Sequence, residues 1–326
     1  MIDPIVWLIL RIFTGICMLG MYLVIESWLN SLTTNETRGR LFSIYMAINL
    51  LALGCSQYLL LIYDIKSLAS FALIALFFSL ALVPIALTFI SQPVQVPKAH
   101  LGIRHIYTTS PLAVFGALIS GIVNGAFWGM GPVYALSVGF DVSGIALFMS
   151  GVVFGGSLLQ WPLGHLSDRY DRRLVIIGVS LVASVAALTV FSMIDLHRSI
   201  GLLAVFIFGG CAFSIYSLSM AHACDHIEPE QVLEISTSLL LLSGIGATLG
   251  PITAGLLMEW LGAHVLMPYF AGLMMLLASL ALLRRSIGSP ISTKDKANFV
   301  TMARTSSAML ELDPRAEPVE DASISK

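Results

Sequence analysis

The chain alternates long apolar stretches with short polar links. A bilayer crossing needs about 20 mostly apolar residues. Nine stretches meet that length: 4–27, 41–62, 68–90, 111–138, 144–164, 174–194, 200–221, 232–258 and 264–283. Each predicts a transmembrane helix, because backbone groups in hydrocarbon are satisfied within a helix. The longest internal link, "SQPVQVPKAHLGIRHIYTTS", contains two Pro, two His and two basic residues and reads as a hinge between two groups of helices. Beyond Leu283 the sequence turns polar, Pro-containing and mixed in charge. That composition predicts a disordered tail.

Composition strengthens the membrane reading. The chain is 57% hydrophobic and 11% charged, whereas soluble domains carry about 25% charged residues. The net charge of −2 points to no nucleic-acid partner. Cys17, Cys55 and Cys211 lie inside apolar runs, and none of the cysteines, Cys224 included, has CxxC spacing. They read as small hydrophobes rather than a disulfide or metal framework. The N-terminus lacks the cationic start of a cleavable signal peptide. No HExxH, G-x-S-x-G or paired-Asp GxGD pattern is present, so neither an enzyme nor a cofactor is expected.

Charge placement sets the expected orientation. With alternating helices, one side receives Arg38, Arg40, Lys98, Arg104, Arg169, Arg172, Arg173 and the basic tail, and the other receives Lys66 and Arg198. The richer side is expected to be cytoplasmic. The C-terminus would then be inside and, with nine crossings, the N-terminus outside. One inner link, "CDHIEPEQ", has no Lys or Arg and weakens the pattern without reversing it.

The most charged link between spans is "GHLSDRYDRR", 164–173. Positive-inside sorting explains its arginines but gives its aspartate no role. Gly164, Leu166, Ser167, Asp168, Arg169, Arg172 and Arg173 match the G-x-L-[AS]-D-R-x-G-R-[RK] loop of the major facilitator superfamily, with Asp171 in place of the usual Gly. "RIFTG", 11–15, resembles that family's R-x-x-Q-G element, with Thr14 in place of Gln. "ESWLN" followed by "ETRGR" resembles a bacterial subgroup, the YcaD-like transporters. The resemblance covers 5–285. It implies an all-α integral membrane bundle of the facilitator type.

An internal repeat is consistent with that fold. Gly15, Cys17, Tyr22 and Glu36 recur at the same spacing as Gly209, Cys211, Tyr216 and Glu230. Parallel repeats of this kind relate the two halves of a facilitator. They predict a partial N-terminal half over 1–90, equivalent to helices four to six. A cytoplasmic linker follows at 91–110, then a complete six-helix half at 111–285 and a disordered cytoplasmic tail at 286–326. By symmetry about three helices would precede Met1.

Several residues are candidates for a substrate or proton pathway. Arg11 lies inside a span, where an unaccompanied charge costs about 3 kcal/mol. It either faces a cavity or snorkels to the outer boundary. Glu26 lies about 22 Å further along the helix, as a gate, a proton carrier or one partner of an interfacial ion pair. Asn124, Trp128 and Tyr134 sit on a Gly-rich helix that the resemblance places along a cavity, although Gly125, Gly129 and Gly131 equally suit close packing. Tyr216, Ser217 and His222 are weaker candidates on a later helix. "GATLGPITAG", 246–255, reads as a family element or as a Pro-kinked packing face. The expected cytoplasmic gate is Gly164, Asp168, Arg169, Arg172 and Arg173. Asp168 is expected against a helix N-terminus near Arg38 to Leu41 or at the start of the eighth span, held by Arg169 or Arg172. The resemblance implies a secondary transporter of a small solute by alternating access, proton-coupled, monomeric and in the bacterial inner membrane. A truncated, non-transporting remnant is the alternative. The substrate, and uptake versus efflux, stay open.

Overall fold

The computed structural model describes residues 3–31, 38–63, 67–87, 101–227, 231–287 and 299–300. The described residues form helices only: α1 Pro4–Ser31, α2 Arg38–Ser56, α3 Leu68–Leu87, α4 Ile103–Thr109, α5 Pro111–Ser137, α6 Val142–Arg169, α7 Arg172–Met193, α8 Arg198–Cys224, α9 Val232–Leu261 and α10 Leu266–Ile287. Short 3-10 turns follow α2 at Gln57–Leu61 and precede α10 at Ala263–Val265. Among the described residues eight helices are long and apolar enough to cross a membrane. The expected span at 68–90 holds a shorter apolar helical stretch, Leu68–Pro84. Residues 88–100, in the expected span end and hinge, lie outside the described residues. The rest of the hinge is ordered: α4 buries Ile106, and the Gly102 N–H donates to Ser238 Oγ on α9 at 2.9 Å.

Helices α5 to α10 form one bundle. Lipid is as apolar as leucine, so helices in a bilayer gain most by close backbone approach. Gly121 and Gly125 of α5 lie against the Ser243 and Ala247 carbonyls of α9, and Gly246 and Gly250 of α9 lie against the Leu118 and Ile122 carbonyls of α5. "GATLGPITAG" therefore serves here as a packing face. On the other side, Gly155 of α6 meets the Phe206 carbonyl of α8, and Gly209 of α8 meets Val152. Phe127, Phe148, Phe208 and Phe270 fill the core between these helices. At the turn into α6, Gly139 takes φ +77°, a left-handed conformation suited to glycine. The Arg198 guanidinium donates to the Gly139 carbonyl at 2.9 Å and lies 5.0 Å from the Phe140 ring centre. This end is called the Arg198 end, and the opposite one the Asp168 end.

The first three helices are attached more lightly. α1 joins α3 through an edge contact of Trp7 with Phe71, and α2 through the Tyr45 hydroxyl, which donates to Glu26 Oε1 at 2.8 Å. α2 in turn packs on α6. Gly54 makes room for the Phe154 ring, and the Tyr58 and Ser150 hydroxyls bond at 3.0 Å. Most apolar side chains of α1 and α3 are exposed.

A side chain at the α5–α9 contact must displace backbone, which overpacks by about 1–3 kcal/mol. Gly250→Leu is expected to lower thermal stability in detergent by that amount. Gly272→Leu, on α10 with open space around it, should change little.

Candidate functional site

At the Asp168 end, α6 stops at Arg169 and α7 begins three residues later. The family's glycine position holds Asp171, and no residue of this turn takes positive φ. Instead Asp171 caps α7. Its carboxylate accepts from the Arg173 N–H at 2.9 Å and clamps the Arg173 guanidinium through Nε and Nη2, each at 3.2 Å. Burial alone would raise the Asp171 pKa, but these bonds from Arg173 hold it below the usual carboxylate range.

Arg172 is the centre of the site. Its side chain is 1% exposed, and it lies 3.3 Å from Asp168 Oδ1 and 2.9 Å from Asp225 Oδ2, itself 3% exposed. A buried cation is tolerable only when paired this closely. The pairing ties the end of α6 to the end of α8. Asp168 Oδ1 also accepts the Phe299 N–H at 3.0 Å. Asp168 was expected at the start of α2 or α9. Among the described residues its carboxylate is held by Arg172 and Phe299 instead, because the turn aims it at α7 and at the returning chain; the side chains of residues 38–40 lie outside the described residues. Arg169 is exposed in the last turn of α6, where a cation suits the helix dipole. Gly164 is buried, and a Cβ there would overlap the Phe299 ring.

The pathway candidates fall in three places. Arg11 is exposed on α1, with its guanidinium 5.1 Å from the Trp7 ring centre. Glu26 is 0% exposed and receives the Tyr45 hydroxyl. Tyr45 borders an apolar cluster joining Met46 of α2 to Tyr216, Met220 and Cys224 of α8 and to Val232, Ile235 and Leu239 of α9. Glu26 and Tyr216 thus flank one seam between the two groups of helices. Trp128 belongs to the other core, edge-on to Phe127 at 5.5 Å, and Asn124 is half-buried nearby on the same helix. Tyr134 is fully buried between Phe148 and His264, and its hydroxyl has no hydrogen-bond partner among the described residues.

Sequence reasoning missed Asp225, Tyr45 and Gln160. Gln160 Nε2 donates to Ser217 Oγ at 2.8 Å, joining α6 to α8 inside the bundle. A lone amide in "GSLLQWPL" was the available signal. Nothing local distinguishes Asp225 from its neighbours. Among the described residues no group of three or more His, Cys, Asp or Glu is placed to hold a metal ion.

A multi-pass helical bundle with a charged turn at one end and a seam between two helix groups defines the class as a polytopic membrane protein. Residues 113–307 match the family model of the Major Facilitator Superfamily, and the chain belongs to that family. It is 30% identical over 262 residues to the "Uncharacterized MFS-type transporter YcaD" of Salmonella paratyphi B (strain ATCC BAA-1250 / SPB7). The protein of that name from Salmonella newport (strain SL254) matches equally. Each alignment covers 78% of this chain and 65% of the relative. The chain thus spans about two-thirds of the length of these relatives. No solved structure matches the chain.

Loss of an N-cap costs about 0.5–2 kcal/mol. Asp171→Ala should destabilise the protein by that amount at neutral pH, read by thermal melting in detergent. The folded carboxylate has a lowered pKa, so its contribution is full above the ordinary aspartate value and fades as pH falls through the lowered one. The gap between the two proteins should therefore narrow in acid.

Proposed function

We propose that the chain acts as a secondary active transporter of a small solute by alternating access, coupled to protons, in a bacterial inner membrane. The observation that carries this reading is the seam. Two helix groups meet at the Asp168 end through a shared apolar cluster, while most of α1 toward the Arg198 end is exposed. An apolar seam at one end suits a carrier closed on that side, since a rocking carrier must break such a seam to open it; α2 also meets α6 nearer mid-helix, through Gly54 with Phe154 and Tyr58 with Ser150. Membership of the facilitator family and the transporter names of the relatives support the same reading.

The Asp168 end is assigned to the cytoplasm because the arginines gather there. A reporter fused after Leu283 should then be cytoplasmic, and a tag before Asp3 external. A cytoplasmic N-terminal tag with the same C-terminal result would overturn the assignment.

Glu26 is proposed as the proton carrier. It is a buried carboxyl that accepts the Tyr45 hydroxyl at 2.8 Å and lies beside the seam that alternating access would open and close. Arg11 is proposed as the second charge of the pathway, because an intramembrane guanidinium needs water or protein around it. Asn124, Trp128, Tyr134 and Tyr216 are proposed to serve the solute path, and the α6–α7 turn to act as the gate. The test uses proteoliposomes with trapped pyranine, challenged with sugars, amino acids, organic acids and cationic dyes. One class should drive inward proton movement that a protonophore abolishes. Glu26→Gln and Arg11→Ala should each lower that signal by about tenfold or more, equivalent to 1.4 kcal/mol, without lowering the amount inserted. No response to any class would sink the transport reading, and an unchanged Glu26→Gln would sink the proton assignment.

A further inference from the structure

Phe299 and Val300 lie within the stretch that sequence alone assigns to a free tail, yet both are packed against the bundle. Phe299 makes two contacts with the charged turn. Its N–H donates to Asp168 Oδ1 at 3.0 Å, and its ring occupies the space left by the missing side chain of Gly164. The ring also touches the core of the six-helix bundle. The next residue, Val300, packs on the other cluster, the seam that joins Met46 of α2 to α8 and α9. Two adjacent residues thus bridge the turn and the seam.

We propose that Phe299–Val300 is an intramolecular wedge: it docks on Gly164 and Asp168 and holds the seam between the two helix groups closed. Four features support it. Gly164 is the residue of the turn whose substitution would push the ring out. Asp168 has a hydrogen bond to a backbone N–H, which a passing surface contact would not need to supply. The ring and the valine are half-buried apolar groups at the end of the bundle where water is present, so the part they bury is favourable. Val300 adds apolar surface to a cluster that contains residues of both helix groups. The turn therefore acts on the seam through Phe299 and Val300. This deepens the alternating-access reading and rests on it for the idea that the seam opens in function.

Two native cysteines provide the test. Cys224 lies in the seam cluster that also holds Met46, and Cys211 lies in the core of the bundle. With Cys17 and Cys55 replaced by serine, the full-length protein in lipid nanodiscs is treated with N-ethylmaleimide and the labelling of each remaining thiol is timed by mass spectrometry. Phe299→Ala is expected to speed labelling of Cys224 by at least about threefold, as local opening becomes easier, and to leave Cys211 unchanged. Gly164→Ala should do the same, and the double variant should be no faster than the faster single one, because both remove one contact. A Cys224 rate that stays at the parent value in both single variants overturns the wedge. So does acceleration of Cys211 in step with Cys224, which would mean global loosening. Independent, multiplying effects in the double variant also overturn it. Labelling needs no substrate, so failure of the wedge and failure of the transport reading are separately visible.

Discussion

Inside a bilayer there is no water to squeeze out from between two helices, so association depends on how closely their backbones approach. The α5–α9 and α6–α8 contacts meet that constraint with glycine on both partners. Each allows one helix to lie on the carbonyls of the other. The aromatic core then fills only the space that remains, and it is the glycines that decide where that space is. These two contacts pair α5 with α9 and α6 with α8, while α7 and α10 meet without a glycine contact and through the Ser184 hydroxyl, which donates to the Ala271 carbonyl at 3.0 Å. α1 and α3 also lack glycine contacts. Gly15 and Gly20 of α1 have open space around them, and both helices leave most of their apolar surface exposed.

Within α5 to α10 charge lies near the helix ends, and the two ends use it differently. At the Arg198 end a single guanidinium covers a left-handed glycine turn and an aromatic ring. It acts as a local brace. At the Asp168 end Arg172 is sunk between carboxylates from two different helix ends. Removing either carboxylate would leave a buried cation short of a partner, which is costly where dielectric is low. One end can therefore tolerate small changes, whereas the other must rearrange as a unit.

Helix positions were legible in the sequence because the bilayer imposes a length. Among the described residues eight of the nine expected spans correspond to long apolar helices; at 68–90 the apolar stretch described is Leu68–Pro84, and residues 88–90 lie outside the described residues. The charged turn was legible as a motif, and Arg172 as an orienting partner of Asp168 was expected. Its second partner was not, because Asp225 comes from a link with no local pattern and only the fold brings it to α7. The same holds for Tyr45 beside Glu26 and for Phe299 over Gly164. Sequence spacing reports on neighbours along one helix. These pairs join residues from different elements, and the tertiary fold alone selects them. Asp171 is a different case: the residue that departs from the family pattern turned out to be the cap, replacing a conformational solution with a hydrogen-bonding one.

The Arg172–Asp225 pairing also constrains the order in which the chain can settle during synthesis. Arg172 emerges from the ribosome roughly fifty residues before Asp225, an interval of several seconds at about 5–20 residues per second. Through that interval the α6–α7 hairpin can enter the membrane, but the Asp225 carboxylate is not yet made and its arginine is better left in water. The hairpin would stay shallow at this end until α8 has crossed and delivered the second carboxylate. Final seating of α6 and α7 is thus timed by a helix made after them, and the bundle closes from its later members backward.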